Sequence, residues 1–212
     1  MLLSLLFNEP LFFLAWVLAV VFALTVHEFS HAFSAKLLGD DTAKSLGRLT
    51  LNPLAHIDWV GFFMLILVGF GWGKPVPFNP YNLKNQKYGP ALISLAGPIS
   101  NLLSAVVFGA ALKLASYYFS PDNLLLMFLS LLIMINLVLA FFNLIPIPPL
   151  DGSKVMFSFF PETPKFENIR YQLETKGPLI LIAIIILDSF LGIGIFSRIL
   201  SFVISWVANI IM

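Results

Sequence analysis

The residues best placed to do chemistry are His27-Glu28-Phe29-Ser30-His31. Positions i and i+4 share one face of a helix, so His27 and His31 can aim imidazole nitrogens at one point. Two imidazoles at that spacing suit Zn²⁺, with the intervening Glu28 beside the metal as a general base; the pattern is HExxH. The setting sharpens the reading. Residues 11–26 (LFFLAWVLAVVFALTV) carry no charge and form the body of a predicted membrane-spanning helix. An ionisable side chain there costs at least a few kcal/mol, so three within five residues point to function. In a soluble chain such a match could arise by chance, but in an apolar helix unliganded His and Glu would only destabilise. The stretch is read as a metal site.

Composition sets the surroundings of that site. Of 212 residues, 59% are hydrophobic and 11% charged, and mean hydropathy is +0.94. A globular chain carries about 25% charged residues, so this one reads as a polytopic membrane protein. The formal net charge is +1 and no basic cluster suggests nucleic acid. Cysteine is absent, which leaves His and carboxylate as the metal ligands. The N-terminus shows neither a basic n-region nor a small-residue cleavage pattern, so the first apolar run is read as a retained span.

The chain in order predicts the frame. A first helix runs from about Pro10 to Leu38 and stops at Gly39. Residues 39–58 (GDDTAKSLGRLTLNPLAHID) form a polar connection with a short β-like patch at 48–51. Trp59 to Phe70 is too short an apolar run for a full span and reads as re-entrant. Prolines 75, 77 and 80 then impose an extended backbone, which at membrane depth needs a cavity or protein around it. A second span covers Gly89 to Tyr118 and a third Leu124 to about Ile145. Next come a Pro-rich break, a short helix from Gly152 to Phe160, a polar loop at 161–177, and two apolar segments at about 178–191 and 195–211. The expectation is a single all-α membrane domain over 1–212, a bundle of about five or six membrane helices with a re-entrant, extended segment at 59–80. Lys36, Lys44 and Arg48 mark the side nearest the His pair as cytoplasmic, and the loop at 119–123 as external.

Two imidazoles do not complete a catalytic zinc site, which takes three protein ligands and keeps a fourth position for water. Asp151 fits the required depth, since it follows a span that returns to the cytoplasmic side and ends in irregular backbone. His56 with Asp58 is the alternative, in a loop rich in its own turn chemistry. Asp188 and Glu174 fall outside that depth. Asn101, an amide in hydrocarbon, faces the bundle interior either as an interhelical hydrogen bond or as part of the site.

His27-Glu28-x-x-His31, Ala96-Gly97-Pro98 with Asn101, and Asn143-x-x-Pro-x-x-x-Leu-Asp151-Gly152 together resemble the site-2 protease family of membrane-embedded zinc metalloproteases. The segments "GDDTAKSLGRLTLNPLAHID" and "GWGKPVPFNP" resemble its compact branch, which lacks a PDZ domain. The match runs from about residue 15 to 160, with Asp41 and Trp59 standing where that branch would carry proline. The resemblance implies one Zn²⁺ per chain on His27, His31 and Asp151, Glu28 as the catalytic base, and Asn143 polarising the substrate carbonyl or positioning the loop. It implies a multi-pass protein of the cell membrane, with its active site towards the cytoplasm. Its partners would be the lipid bilayer and a transmembrane protein substrate, cut in or near its membrane helix by regulated intramembrane proteolysis. The extended 72–80 segment is a candidate edge for the unwound substrate. A zinc transporter or a non-catalytic scaffold are the other readings; a transporter needs no Glu between the His pair, and a scaffold would have lost a ligand or Glu28.

Overall fold

The computed structural model describes residues 2–161, 163–192, 194, 198, 201 and 205. Among these it holds eight α-helices and no strand: α1 (Leu2–Asn8), α2 (Pro10–Leu37), α3 (Thr42–Ser45), α4 (Trp59–Val68), α5 (Gly89–Ala115), α6 (Leu124–Asn143), α7 (Asp151–Phe157) and α8 (Pro164–Leu191). Helices α2, α5 and α6 are long and apolar enough to cross a membrane. The all-α, polytopic membrane architecture expected from the sequence is the one observed.

One row of α2 organises the bundle. Ala19, Ala23, His27, His31 and Ala35 recur at every fourth position and all are buried. The alanines let neighbouring backbones come close, which is how membrane helices associate when burial in lipid offers no advantage. Ala19 and Ala23 pack with Leu129, Leu131, Leu132 and Ile135 of α6. Ala35 packs with Ile93 of α5. Away from this row, Leu11, Leu14, Leu18 and Phe22 are exposed as an apolar outer face. At 28 residues, α2 is about 42 Å long and overreaches the hydrocarbon layer. Its C-terminal turns, with Lys36, therefore reach the interface.

The connection from α2 to α5 is held by polar side chains. No strand forms at 48–51; instead a 3₁₀ turn covers Pro53–Ala55. Helix α4 is capped by Asp58, whose side chain accepts the Gly61 N–H at 2.9 Å. Its 10 residues extend about 15 Å, half a bilayer core. Residues 70–79 then run without helix, and the segment is tied down at its middle and at its C-terminal end. The Lys74 N–H donates to the His56 carbonyl at 2.9 Å. Asp40, fully buried, accepts from the Asn79 N–H at 2.7 Å and the Asn82 amide at 2.8 Å.

After α6 the backbone folds back on itself in a tight turn. A Cβ on Gly152 would lie 2.2 Å from the Leu144 carbonyl oxygen, so only glycine lets the turn close and bring α7 against α5. Downstream the structure departs from the expected 161–177 loop. Thr163 caps α8 through the Phe166 N–H at 3.3 Å, and Pro164 occupies its first turn. Arg170 pairs with Glu167 and Glu174 at helical spacing. Capping and i,i+3/i,i+4 pairs make this polar stretch helical, and α8 continues through Pro178. The expected second segment, 195–211, lies largely outside the described residues.

Candidate metal centre

Helix α2 delivers the two imidazoles and α7 the carboxylate. One ligand-type atom from each of His27, His31 and Asp151 lies within 4.8 Å of the others, and all three residues are buried. The two Nε2 atoms are 2.9 Å apart. Asp151 Oδ2 sits 3.1 Å from His27 Nε2 and 3.2 Å from His31 Nε2. Helix α5 approaches this point through Gly97, where a Cβ would stand 2.5 Å from His31 Nε2 and 2.6 Å from His27 Cε1.

The far side of each ring decides what these atoms offer. His31 Nδ1 lies 2.7 Å from the Ile93 carbonyl oxygen, which can only accept, so Nδ1 carries the proton. His27 Nδ1 lies 2.6 Å from Asn101 Oδ1. The Asn101 amide nitrogen donates to the Ala23 carbonyl at 3.1 Å and to Asn136 Oδ1 at 2.8 Å. That network assigns the amide orientation: oxygen faces the imidazole, and His27 also donates from Nδ1. In their neutral forms both rings then turn a bare Nε2 towards the carboxylate. Three acceptors meet with no donor among them, a set that fits a cation. Ligand arms of 2.0–2.1 Å in a tetrahedral zinc site give edges of about 3.3 Å, close to the spacings here. The outer partners on Nδ1 are those that orient metal-ligating histidines.

Glu28 is buried on the same turn of α2, and its Oε2 accepts the Val76 N–H at 3.1 Å. Neither His56 nor Asp58 belongs to the cluster. His56 is fully buried and donates from Nε2 to the Thr50 carbonyl at 2.7 Å, while Asp58 caps α4. Burial lowers the pKa of His56 below its ordinary value, the Thr50 hydrogen bond opposes this, and the Arg48 cation adds to it. The Asn143 amide donates back to the Leu139 carbonyl of its own helix at 3.0 Å. Asn101 and Asn136 are both fully buried; the sequence alone turns Asn101 to the bundle interior without naming its partner and leaves Asn136 without a role. The available signal was two amides in otherwise apolar spans, where such groups need partners.

An all-α membrane protein with a His-Glu-x-x-His span and a distal aspartate falls in the class of membrane metalloproteases. The chain belongs to Peptidase family M50, the site-2 protease family, whose profile matches residues 119–184. Three relatives are each named a putative zinc metalloprotease. YwhC of Bacillus subtilis is 37% identical over 176 residues, covering 80% of this chain and 79% of its own. Rip2 of Mycolicibacterium smegmatis is 36% identical over 141 residues, 61% of this chain and 51% of its own, so the chain spans about half of that relative. MJ0611 of Methanocaldococcus jannaschii is 32% identical over 148 residues, 69% of this chain and 71% of its own. No solved structure matches the chain significantly.

Proposed function

We propose that this chain is an intramembrane zinc endopeptidase that hydrolyses a peptide bond in or near a transmembrane helix of a membrane-protein substrate. The observation that carries the reading is the convergence of three acceptors, His27 Nε2, His31 Nε2 and Asp151 Oδ2, one residue from the Glu28 carboxylate. The family and the relatives' names support the same chemistry. Zinc held by His27, His31 and Asp151 would supply an acidified water and polarise the scissile carbonyl. Glu28 takes the proton of the attacking water on a carboxylate oxygen and passes it to the departing amine nitrogen. A helical substrate hides its carbonyls in i→i+4 hydrogen bonds, so it must unwind first. Helix-weakening residues near the cytoplasmic end should mark the better substrates.

The 72–80 segment qualifies as a docking edge only in part. The N–H groups of Lys74 and Val76 are engaged inward, and residues 75 and 77 are prolines. The Lys74 and Pro75 carbonyls are taken by Arg48, so few backbone groups of this stretch are left for an incoming peptide. Among the described residues a single group of three or more potential metal ligands occurs, which favours a catalytic centre over a transport path of successive sites.

The deciding experiment is cleavage of a single-span test substrate by purified protein. Glu28→Gln keeps the shape and an oxygen for Val76 but cannot shuttle a proton. Folded protein with zinc retained, cleavage reduced by several orders of magnitude and uncut substrate trapped is the expected result. Cleavage near the wild-type rate would remove the mechanism, and zinc flux lost in its place would favour a transporter.

A further inference from the structure

We propose that Arg48 is a positioning residue for Glu28, acting through the backbone of residues 74–76; this rests on Glu28 being the base. Arg48 lies in the connection between α2 and α4, yet it is only 5% exposed. Its Nη2 donates to the Lys74 carbonyl at 2.5 Å and its Nη1 to the Pro75 carbonyl at 3.0 Å. His56 lies behind the fork, Nδ1 at 3.5 Å from Nη2, and its carbonyl receives the Lys74 N–H. The next residue along, Val76, is the one that donates to Glu28.

The chemistry of the segment makes this grip consequential. Pro75 and Pro77 have no N–H, so the Val76 N–H is the one backbone donor across 75–77. Its direction depends on where the two preceding carbonyls are held, and a guanidinium fork holds two acceptors in fixed geometry. A long carboxylate such as Glu28 has three side-chain torsions, and a fixed donor selects among its rotamers. A purely structural clamp leaves two facts over. A cation is buried with its Nε–H lacking a partner, although a neutral donor could satisfy the same carbonyls at lower desolvation cost. And the donor set by the clamp lands on Glu28.

The test uses the full chain in detergent, with Arg48→Lys, Arg48→Gln, Val76→Pro and the Arg48→Lys/Val76→Pro double. Proline at 76 removes the N–H and exchanges the isopropyl group for a ring, within a stretch that already has proline on either side. Zinc content should equal wild type, KM should stay within about twofold, and kcat should fall about tenfold in each single variant, the scale of one hydrogen bond. The double should be no slower than the slower single, because both changes break one chain of contacts. Multiplying losses, a fully active Val76→Pro, or loss of zinc or fold in both Arg48 variants would each overturn the proposal. Glu28→Gln run alongside separates the readings: if it stays active the base assignment fails, whatever Arg48 does.

Discussion

His27 has one ring nitrogen committed to Asn101 and the other facing His31 and Asp151. Which nitrogen keeps the proton is decided outside the cluster. Asn101→Leu removes the acceptor and frees His27 to protonate Nε2, so zinc affinity should fall roughly 10–100-fold, read by chelator competition. Asn136→Leu should act in the same direction but less, since the Ala23 carbonyl still holds the Asn101 amide. Unchanged affinity in both would mean that the amide pair only joins helices. Gly97→Ala tests the close approach. The added methyl meets both rings, and overpacking of this kind costs roughly 1–3 kcal/mol, so thermal unfolding should shift down together with zinc binding. The His pair was legible in the sequence because i,i+4 spacing places two rings on one face whatever packs around it. The partners of the amides were not, because Asn101 meets His27 and Asn136 only once α2, α5 and α6 are side by side.

The α2–α4 connection is the element where pH should tell. His56 is buried with its pKa lowered, so at mildly acidic pH the unfolded chain binds more protons there than the folded one. Stability from this residue is therefore complete above its unfolded pKa of about 6.5 and is lost as pH falls below it. Between pH 7 and 5, the protection of residues 48–58, taken relative to intrinsic exchange at each pH, should fall in the wild type more than in His56→Asn. Equal slopes would remove His56 as the cause. Asp40 behaves oppositely in range: burial raises its carboxyl, but hydrogen bonds from Thr42, Asn82 and Asn79 win and hold it below the ordinary value. Its contribution should be flat over that interval and fail only in stronger acid. The elements α2, α5 and α6 were readable from length and apolarity alone. Helix α8 was not, because its first half is polar and owes its form to Thr163 capping and the Arg170 pairs, weak local signals that a loop reading overrides. The patch at 48–51 has β-type residues but no neighbouring strand to pair with among the described residues; Arg48 instead turns inward to grip residues 74 and 75.

At the scale of the molecule, most Lys and Arg residues lie towards one end of the spans, with Lys113 in the last turn of α5 at the other. Lys36, Lys44, Lys74, Lys84, Lys87 and Lys154 lie on the connections and helix ends nearest the metal centre, while the turn from α5 to α6, residues 116–123, has no Lys or Arg. The positive-inside rule predicts a cytoplasmic position for the first group. The chain has no cysteine, so single labels are clean. A Cys at Asp122, exposed between α5 and α6, should react with an impermeant thiol reagent from outside, and one at Lys44 should not; the reverse would invert the orientation. The ligand order along the chain adds a consequence for biosynthesis. His27 and His31 are neighbours on one helix, but Asp151 lies 124 residues beyond His27. At about 5–20 residues per second, roughly 6–25 s of translation separate the two halves of the centre. During that interval the nascent chain holds the two imidazoles of the centre without the carboxylate of Asp151. The three-residue cluster is thus completed only after α2, α5 and α6 have been made, and before α8.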